Sequence, residues 1–302
     1  MRRMLPASAA LLAPNAALAH GGGPGPFAEW TLDAWLVLPL LLSILWYAAG
    51  WARLWRRSGT GRGALARDGA MFASGWLVLA GALVSPLHAW GERSFTLHMV
   101  EHELLMLVAA PLLALSRPLA AYLWALPAGW RQALARSGRS PAVAVPWRRL
   151  TEPLTATVLL AVALWAWHAP GPFGAALEAE GWHALQHAAF ILSSLLFWWS
   201  MAHGPEGRRG YGLGALCQFF TAVHTGFLGT LMAFAGSAWY PAYTVIAPPW
   251  GLSPLEDQQL AGLVMWVPGG LVHAGAALLL LAKWLQHAGE IDGEGRHGAA
   301  LD

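Results

Sequence analysis

Charge is scarce in this sequence. Asp, Glu, Lys and Arg make up only 11% of the 302 residues, against roughly a quarter in ordinary soluble domains. Hydrophobic residues account for 57%, and the mean hydropathy is +0.46. This composition excludes a soluble globular enzyme, a disordered chain and a nucleic-acid-binding protein. It predicts instead a protein whose main surroundings are membrane lipids.

Cysteine is almost absent. The single residue, Cys217, excludes an intramolecular disulfide and any Cys-x-x-Cys metal or redox motif. Metal chemistry in this chain therefore has to use other ligands. Histidine is the abundant candidate, because the 12 His nearly equal the 16 acidic residues in number.

Apolar runs long enough to cross a bilayer recur along the chain. A membrane helix needs about 20 largely apolar residues. The sequence therefore predicts an all-α fold, a polytopic membrane bundle of about seven transmembrane helices. The predicted spans are 32–52, 70–90, 95–115, 154–170, 183–202, 211–235 and 258–284.

The ends of the chain differ from this apolar middle. Arg2 and Arg3 precede a short apolar stretch, and Ala17-Leu18-Ala19 matches the small-residue pattern of a signal-peptide cleavage site. The predicted division is a signal peptide at 1–19, an outer leader at 20–31, a seven-helix membrane domain at 32–285 and a cytoplasmic tail at 286–302.

Positive residues fall almost entirely on one side of the predicted bundle. Of the 18 Lys and Arg, Arg2 and Arg3 belong to the signal peptide and Arg93 lies outside, which leaves fifteen in the inner loops and tail. The positive-inside rule then places the mature N-terminus outside and the C-terminus inside. The inner Arg clusters are expected to contact anionic lipid.

The histidines concentrate on the opposite, outer face. Ionisable groups at membrane depth are costly and are functional candidates by default. His224 falls near the middle of the sixth span. Six others lie at similar depth, at the outer ends of spans two to five: His88, His98, His102, His168, His183 and His187.

The spacing of these histidines predicts a metal site. His98 and His102, like His183 and His187, stand four residues apart, which puts both imidazoles of each pair on one helix face. Met106 continues the first face by one turn, and Glu101 lies beside it. Imidazole with thioether favours copper, whereas imidazole alone also suits zinc.

Two further features belong to the outer face. Cleavage after Ala19 would make His20 the first residue, so that its α-amine and imidazole could chelate copper together. Asp257, followed by Gln258, lies at the mouth of the seventh span. Among the outer acidic residues, Asp257 is the one that we expect to matter most.

Several stretches resemble, in order, a known family. They are His98-Met99-Val100-Glu101-His102 followed by LLMLVAAPLLALSRP, Trp167-His168-Ala169-Pro170, His183-Ala184-Leu185-Gln186-His187, and Tyr240-Pro241-Ala242-Tyr243 followed by WGLSPLEDQQLAGLVMWVPGG after a short gap. The chain is similar to the bacterial CtaG-type (caa3-type) cytochrome c oxidase assembly factors over residues 30–285.

The resemblance implies a multi-pass membrane protein that handles copper and is needed to make active haem-copper oxidase. Binding and ligand exchange would then replace catalysis, and the partner would be an apo cytochrome c oxidase subunit at the outer face. The resemblance implies functional roles for His98, His102, Trp167, His168, His183, His187, Asp257 and Gln258.

Three alternatives remain open from the sequence. His98-x-x-Glu101-His102 also matches the H-x-x-E-H motif of metal-dependent proteases, in which the Glu is the general base. A haem-binding electron carrier would use two His from different helices, and His224 could be one of them. A copper transporter is disfavoured, since carboxylates along a path through the membrane are not evident in the sequence.

Overall fold

Regular structure in the described residues is helical throughout. The computed structural model describes residues 30–204, 207–244 and 250–298, and no strand occurs in these ranges. The predicted all-α class is therefore confirmed. The helices are α1 Ala34–Arg57, α2 Arg62–Val84, α3 Pro86–Gly91, α4 Phe95–Glu103, a π-helix Leu104–Ala109, α5 Ala110–Leu115, α6 Pro118–Ala125, α7 Ala128–Arg139, α8 Pro141–Leu150, α9 Pro153–His168, α10 Pro170–Glu178, α11 Glu180–His203, α12 Arg208–Ala233, α13 Pro241–Thr244 and α14 Pro254–Gly298.

Local signals start the helices that carry the predicted site. Ser85 and Ser94 precede α3 and α4, and each side chain accepts a hydrogen bond from a backbone N–H of the first turn. Pro86, Pro153 and Pro170 stand at the starts of α3, α9 and α10. Proline suits the first helical position, because its missing N–H would have no intrahelical partner there.

Length and composition support a polytopic membrane bundle. Two of the seven predicted spans, 70–90 and 154–170, correspond to α2 and α9, and α9 has only 16 residues. It follows α8 with a bend of 65°, and the pair forms a sixth candidate span. The count of seven stays a prediction. Within the described ranges, five helices are long and apolar enough to cross a membrane: Ala34–Arg57, Phe95–Leu115, Glu180–His203, Arg209–Ala233 and Pro254–His287.

Two helix boundaries differ from the sequence expectation. The second span ends at Val84, so His88 lies on the separate six-residue helix α3 and not at the end of the span. Helix α14 runs without a break through residue 286, where the sequence predicts the start of a tail. The predicted signal peptide, most of the leader and His20 lie outside the described residues.

The third predicted span is not a uniform α-helix. The π-helix separates α4 from α5 within it. Trp198 of α11 donates its indole N–H to the backbone oxygen of Met106 in this π-helix, at 2.9 Å. A π-helical turn rotates the following residues relative to an α-helix, and such turns are frequent at functional sites. Met106 consequently does not lie one regular turn below His102.

Glycine allows α12 and α14 to pack closely. A Cβ atom added at Gly262 of α14 would lie 2.5 Å from the backbone nitrogen of Ala233 and 2.5 Å from the backbone oxygen of Gly229. Small residues permit such backbone contacts in membrane bundles. This contact matters for the site, because α14 also packs against α4 and supports it.

We expect Gly262→Ala to separate α12 from α14 and to lower the free energy of unfolding by about 1–3 kcal/mol. The matched control is Gly270→Ala on the same helix, where an added Cβ would meet nothing within 4 Å. Thermal unfolding of both purified variants in detergent checks the prediction. Equal midpoints for the two variants would contradict it.

Candidate metal centre

Two histidine pairs face each other across α4 and α11. The ring centroids lie 4.3 Å apart in the pair His98–His102 and 4.4 Å apart in the pair His183–His187. Between the helices, His98 lies 5.4 Å from His183, and His102 lies 5.2 Å from His187. The spacing of four residues and the pairing of the two helices together produce a group of four imidazoles.

His88 joins this group from α3. One ring nitrogen each of His88, His183 and His187 lies within 4.8 Å of the other two. Metal–nitrogen bonds of about 2.0–2.1 Å hold the ligands of one ion up to about 4 Å apart. Small side-chain adjustments would therefore let these three nitrogens share one ion. We refer to His88, His98, His102, His183 and His187 together as the histidine cluster.

Glu101 orients the cluster. Its buried carboxylate accepts a hydrogen bond from Nδ1 of His88 at 2.8 Å, and the same oxygen lies 3.9 Å from Nε2 of His187. Metal-binding histidines commonly donate their second ring N–H to such a carboxylate. The contact leaves Nε2 of His88 as the nitrogen with a free lone pair.

The same carboxylate makes this place favourable for positive charge. His88 lies on α3, outside the helices that span the membrane. Burial opposes a charged imidazole, but the hydrogen bond and the charge of Glu101 outweigh it and raise the pKa of His88 above its ordinary value. A negative group that stabilises a proton here also stabilises a metal cation.

Most ring nitrogens of the cluster have no hydrogen-bond partner among the residues that the structure describes. Both nitrogens of His98 and of His102, and Nε2 of His183 and of His187, are buried and unpaired. Leaving one buried polar group unpaired costs about 1–3 kcal/mol, and natural proteins rarely do so. A bound cation would satisfy several of these lone pairs at once, so the donor set fits a metal ion.

His168 lies beside the cluster at the end of α9. Its Nδ1 donates to the backbone oxygen of Leu164 at 2.7 Å, while Nε2 is buried and unpaired. Its ring packs against Phe173 and Phe190, with centroids 6.5 and 5.8 Å away. These two phenylalanines also contact His98 and His102. The rings of Phe173 and Phe190 therefore lie between His168 and the cluster and contact both.

A cavity of about 430 Å³ opens onto the histidine cluster. His88, His183 and His187 contribute to its wall, so the cluster is reachable from this side. A lining of carboxylates raises the local concentration of cations. The acidic residues that line it are Asp33, Glu92, Glu178 and Glu180.

Asp257 holds the beginning of α4 and does not line the cavity. Its carboxylate accepts hydrogen bonds from the Ser94 hydroxyl at 2.9 Å, from the Phe95 N–H at 2.6 Å and from the Thr96 N–H at 3.2 Å. The Thr96 hydroxyl donates to the backbone oxygen of Asp257 at 2.9 Å. A carboxylate at a helix N-terminus pairs free N–H groups and complements the helix dipole. Asp257 is therefore a positioning residue for His98 and His102.

Gln258 and Trp167 also act away from the cluster. The Gln258 side-chain oxygen accepts the backbone N–H of Trp239 at 2.6 Å, which fixes the segment between α12 and α13. Trp167 packs against Trp182 with ring centroids 6.0 Å apart. Both residues therefore contact elements around the site. Among the described contacts, neither residue touches a cluster imidazole.

Met106 and His224 lie deeper in the bundle. Met106 lines a separate small cavity, together with Glu103 and His273. His224 of α12 packs against Phe220, with ring centroids 5.4 Å apart, and both its ring nitrogens are buried and unpaired. The structure thus brings neither residue into the histidine cluster.

Sequence reasoning missed several residues around the site. Gln186, which lies between His183 and His187 along α11, is fully buried, and its amide atoms have no hydrogen-bond partner in the described part of the chain. Tyr240 donates its hydroxyl to the backbone oxygen of His168, and Tyr243 donates to that of Gly91. The Tyr-Pro-Ala-Tyr stretch is the sequence feature from which the two tyrosines could have been selected as site residues. Glu103, inside an apolar run, is a further carboxylate in the interior of the bundle that the sequence argument against a path of carboxylates left out.

These features define a class of protein: an all-α, multi-pass membrane protein with a buried histidine cluster at one end of its bundle. Residues 45–287 match the family described as cytochrome c oxidase caa3 assembly factor (Caa3_CtaG). The chain belongs to this family, and the resemblance seen in the sequence is confirmed.

Three mycobacterial proteins are similar to this chain. Uncharacterized proteins of Mycobacterium bovis and Mycobacterium tuberculosis are each 26% identical over 271 residues, which cover 84% of this chain and 39% of the relative. One from Mycobacterium leprae is 25% identical over 272 residues, which cover 85% and 40%. The chain therefore spans only about two fifths of the length of these relatives. No solved structure matches it.

Proposed function

We propose that this protein binds copper in its histidine cluster and passes the ion to an apo cytochrome c oxidase subunit at the outer face of the bacterial inner membrane. The observation that carries this proposal is the group of buried, unpaired imidazole nitrogens, together with three ring nitrogens that lie within 4.8 Å of one another. Because the chain belongs to a cytochrome c oxidase assembly family, we infer that the partner is an oxidase subunit.

Copper fits the ligands that the cluster offers. Imidazole nitrogen binds copper and zinc well, and no thiolate or carbonyl cage competes for the ion among the cluster side chains. Since haem-copper oxidases need copper for maturation, the family membership favours copper over zinc as the cargo. Zinc is the competing cargo that metal analysis would detect.

Transfer would proceed by ligand exchange without bond-breaking catalysis. The carboxylates around the cavity attract the cation, and His183 and His187 meet it at the wall of that cavity. Glu101 holds His88 in the orientation that completes the set. A docked oxidase subunit would then replace the imidazoles one at a time from the open side, so the ion is never released to water.

The geometry favours this function over the protease and haem alternatives. Glu101 is engaged with His88, whereas a protease base would have to face a water on the metal. The imidazoles pack directly on one another, with His88 and His183 stacked at 5.1 Å. Such packing suits a small ion better than a planar macrocycle held between two rings.

Metal content and the visible spectrum of the full-length protein test the proposal. We expect protein purified in detergent, and offered equal copper and zinc, to retain copper and to show no Soret band. Subsequent incubation with an apo oxidase subunit should move the copper to that subunit. Retention of zinc alone, a Soret band, or copper that stays on this protein would each contradict the proposed function.

A further inference from the structure

A second group of ligand-type side chains lies deeper in the bundle than the histidine cluster. A cavity of about 20 Å³ lies among the end of α4, the π-helix, α9, α11, α12 and α14. Ser194, on its wall, is seven residues further along α11 than His187, or about 10 Å along the helix axis. The side chains with a polar or sulfur atom on its wall are Glu103, Met106, Ser194, Trp198, Thr225, Met265 and His273.

Glu103 presents an unpaired carboxylate oxygen to this interior. Its Oε2 atom is buried, and no described residue forms a hydrogen bond with it. Gly269 of α14 lies beside it, since a Cβ added there would be 3.4 Å from that oxygen, at van der Waals contact. A carboxyl group at this depth of a membrane bundle is costly and marks a functional site by default.

His273 is oriented as a ligand. Its Nδ1 pairs with the side-chain oxygen of Gln218 at 2.7 Å, so that Nδ1 carries the proton and Nε2 keeps its lone pair. The ring stacks on Trp198, with centroids 5.5 Å apart and planes at 8°. Trp198 in turn donates to the backbone oxygen of Met106. Trp198 therefore contacts both His273 and the π-helix that carries Met106.

We propose that Glu103, Met106 and His273 form a second copper site, which holds one cuprous ion in the interior of the bundle. A thioether, an imidazole and a carboxylate supply one sulfur, one nitrogen and one oxygen, and the sulfur selects copper(I) among the common ions. The cavity has the volume that a single water molecule or ion needs. This proposal rests on the proposed function for the identity of the cargo, but its ligands are separate.

The second site acts as a reserve that exchanges with the histidine cluster. The adjoining inner cavity, of about 360 Å³, is lined by Gln218 and Trp198 and also by Arg117 and Lys283. The two positive side chains oppose the exit of a cation on that side. The cavity that opens onto the histidine cluster is lined by carboxylates instead. An ion in the interior would therefore leave through the histidine cluster.

Counting copper(I) ions in variants of the full-length protein tests the second site. Wild-type protein, loaded under reducing conditions and washed with a copper(I) chelator, should retain two ions. The variant His183→Ala/His187→Ala should retain one, and adding Met106→Leu or His273→Phe to it should leave none. Leucine keeps the volume of methionine, and phenylalanine keeps the stacking on Trp198. X-ray absorption should show sulfur scattering from the ion in the double variant.

The matched control is Met232→Leu, which removes a thioether that is equally buried but lies outside this cavity. It should leave the copper count unchanged. One ion in the wild type and none in His183→Ala/His187→Ala would overturn the second site and leave the proposed function intact. Two ions that survive both Met106→Leu and His273→Phe would overturn the ligand assignment. No retained copper in the wild type would overturn both proposals.

Discussion

Replacing His183 and His187 together with alanine is expected to lower the copper affinity of the histidine cluster at least about 100-fold, because losing even a hydrogen-bond partner of a metal ligand costs 10–100-fold. The two residues supply two of the three nitrogens that lie within 4.8 Å of one another. Together with His88, they also line the cavity of about 430 Å³ that opens onto the cluster. No hydrogen bond from Nε2 is lost in either case, since both atoms are unpaired.

Competition against a copper chelator in the Met106→Leu background measures this affinity, because the deeper site is then disabled. The control is His203→Ala, which removes an imidazole from the far end of the same helix, where His203 stacks on Trp199. Cells that depend on the double variant should also lose active oxidase, while cells with the control should keep it. An unchanged affinity would show that the cluster does not bind the ion.

Local periodicity explains why the cluster could be predicted from sequence. A spacing of four residues fixes two imidazoles on one helix face wherever the helix packs, and this holds for His98–His102 and for His183–His187. The separate helix of His88 was not predicted, although Ser85-Pro86 is a helix start signal. The apolar run continues across that signal, so the sequence reads as one span where the structure has the end of α2 and the start of α3.

Other features depend on long-range contacts that no local pattern encodes. The contact between Asp257 and the start of α4 joins residues more than 160 positions apart, so sequence could rank Asp257 but not assign its role. The π-helix is stabilised in part by Trp198 from another helix. It moves Met106 out of the predicted ligand set and into the cavity that Glu103 shares.

Asp257→Ala is expected to lower the free energy of unfolding by about 3 kcal/mol or more, since each buried donor left unpaired costs about 1–3 kcal/mol. Three donors at the start of α4 would lose their acceptor, namely the Ser94 hydroxyl and the N–H groups of Phe95 and Thr96. His98 follows within one turn of that start. The variant should therefore bind copper more weakly, although no copper ligand has been removed.

Thermal unfolding and copper competition on the same preparations separate positioning from ligation. Asp257→Asn keeps one acceptor oxygen and should recover part of the stability and of the affinity. Glu256→Ala, in the same turn but with an exposed side chain, should leave the copper affinity unchanged. If Asp257 bound the ion itself, asparagine would lower the affinity without lowering the unfolding midpoint. If it acts through α4, the two quantities must fall together, because the same hydrogen bonds hold the helix start and its histidines.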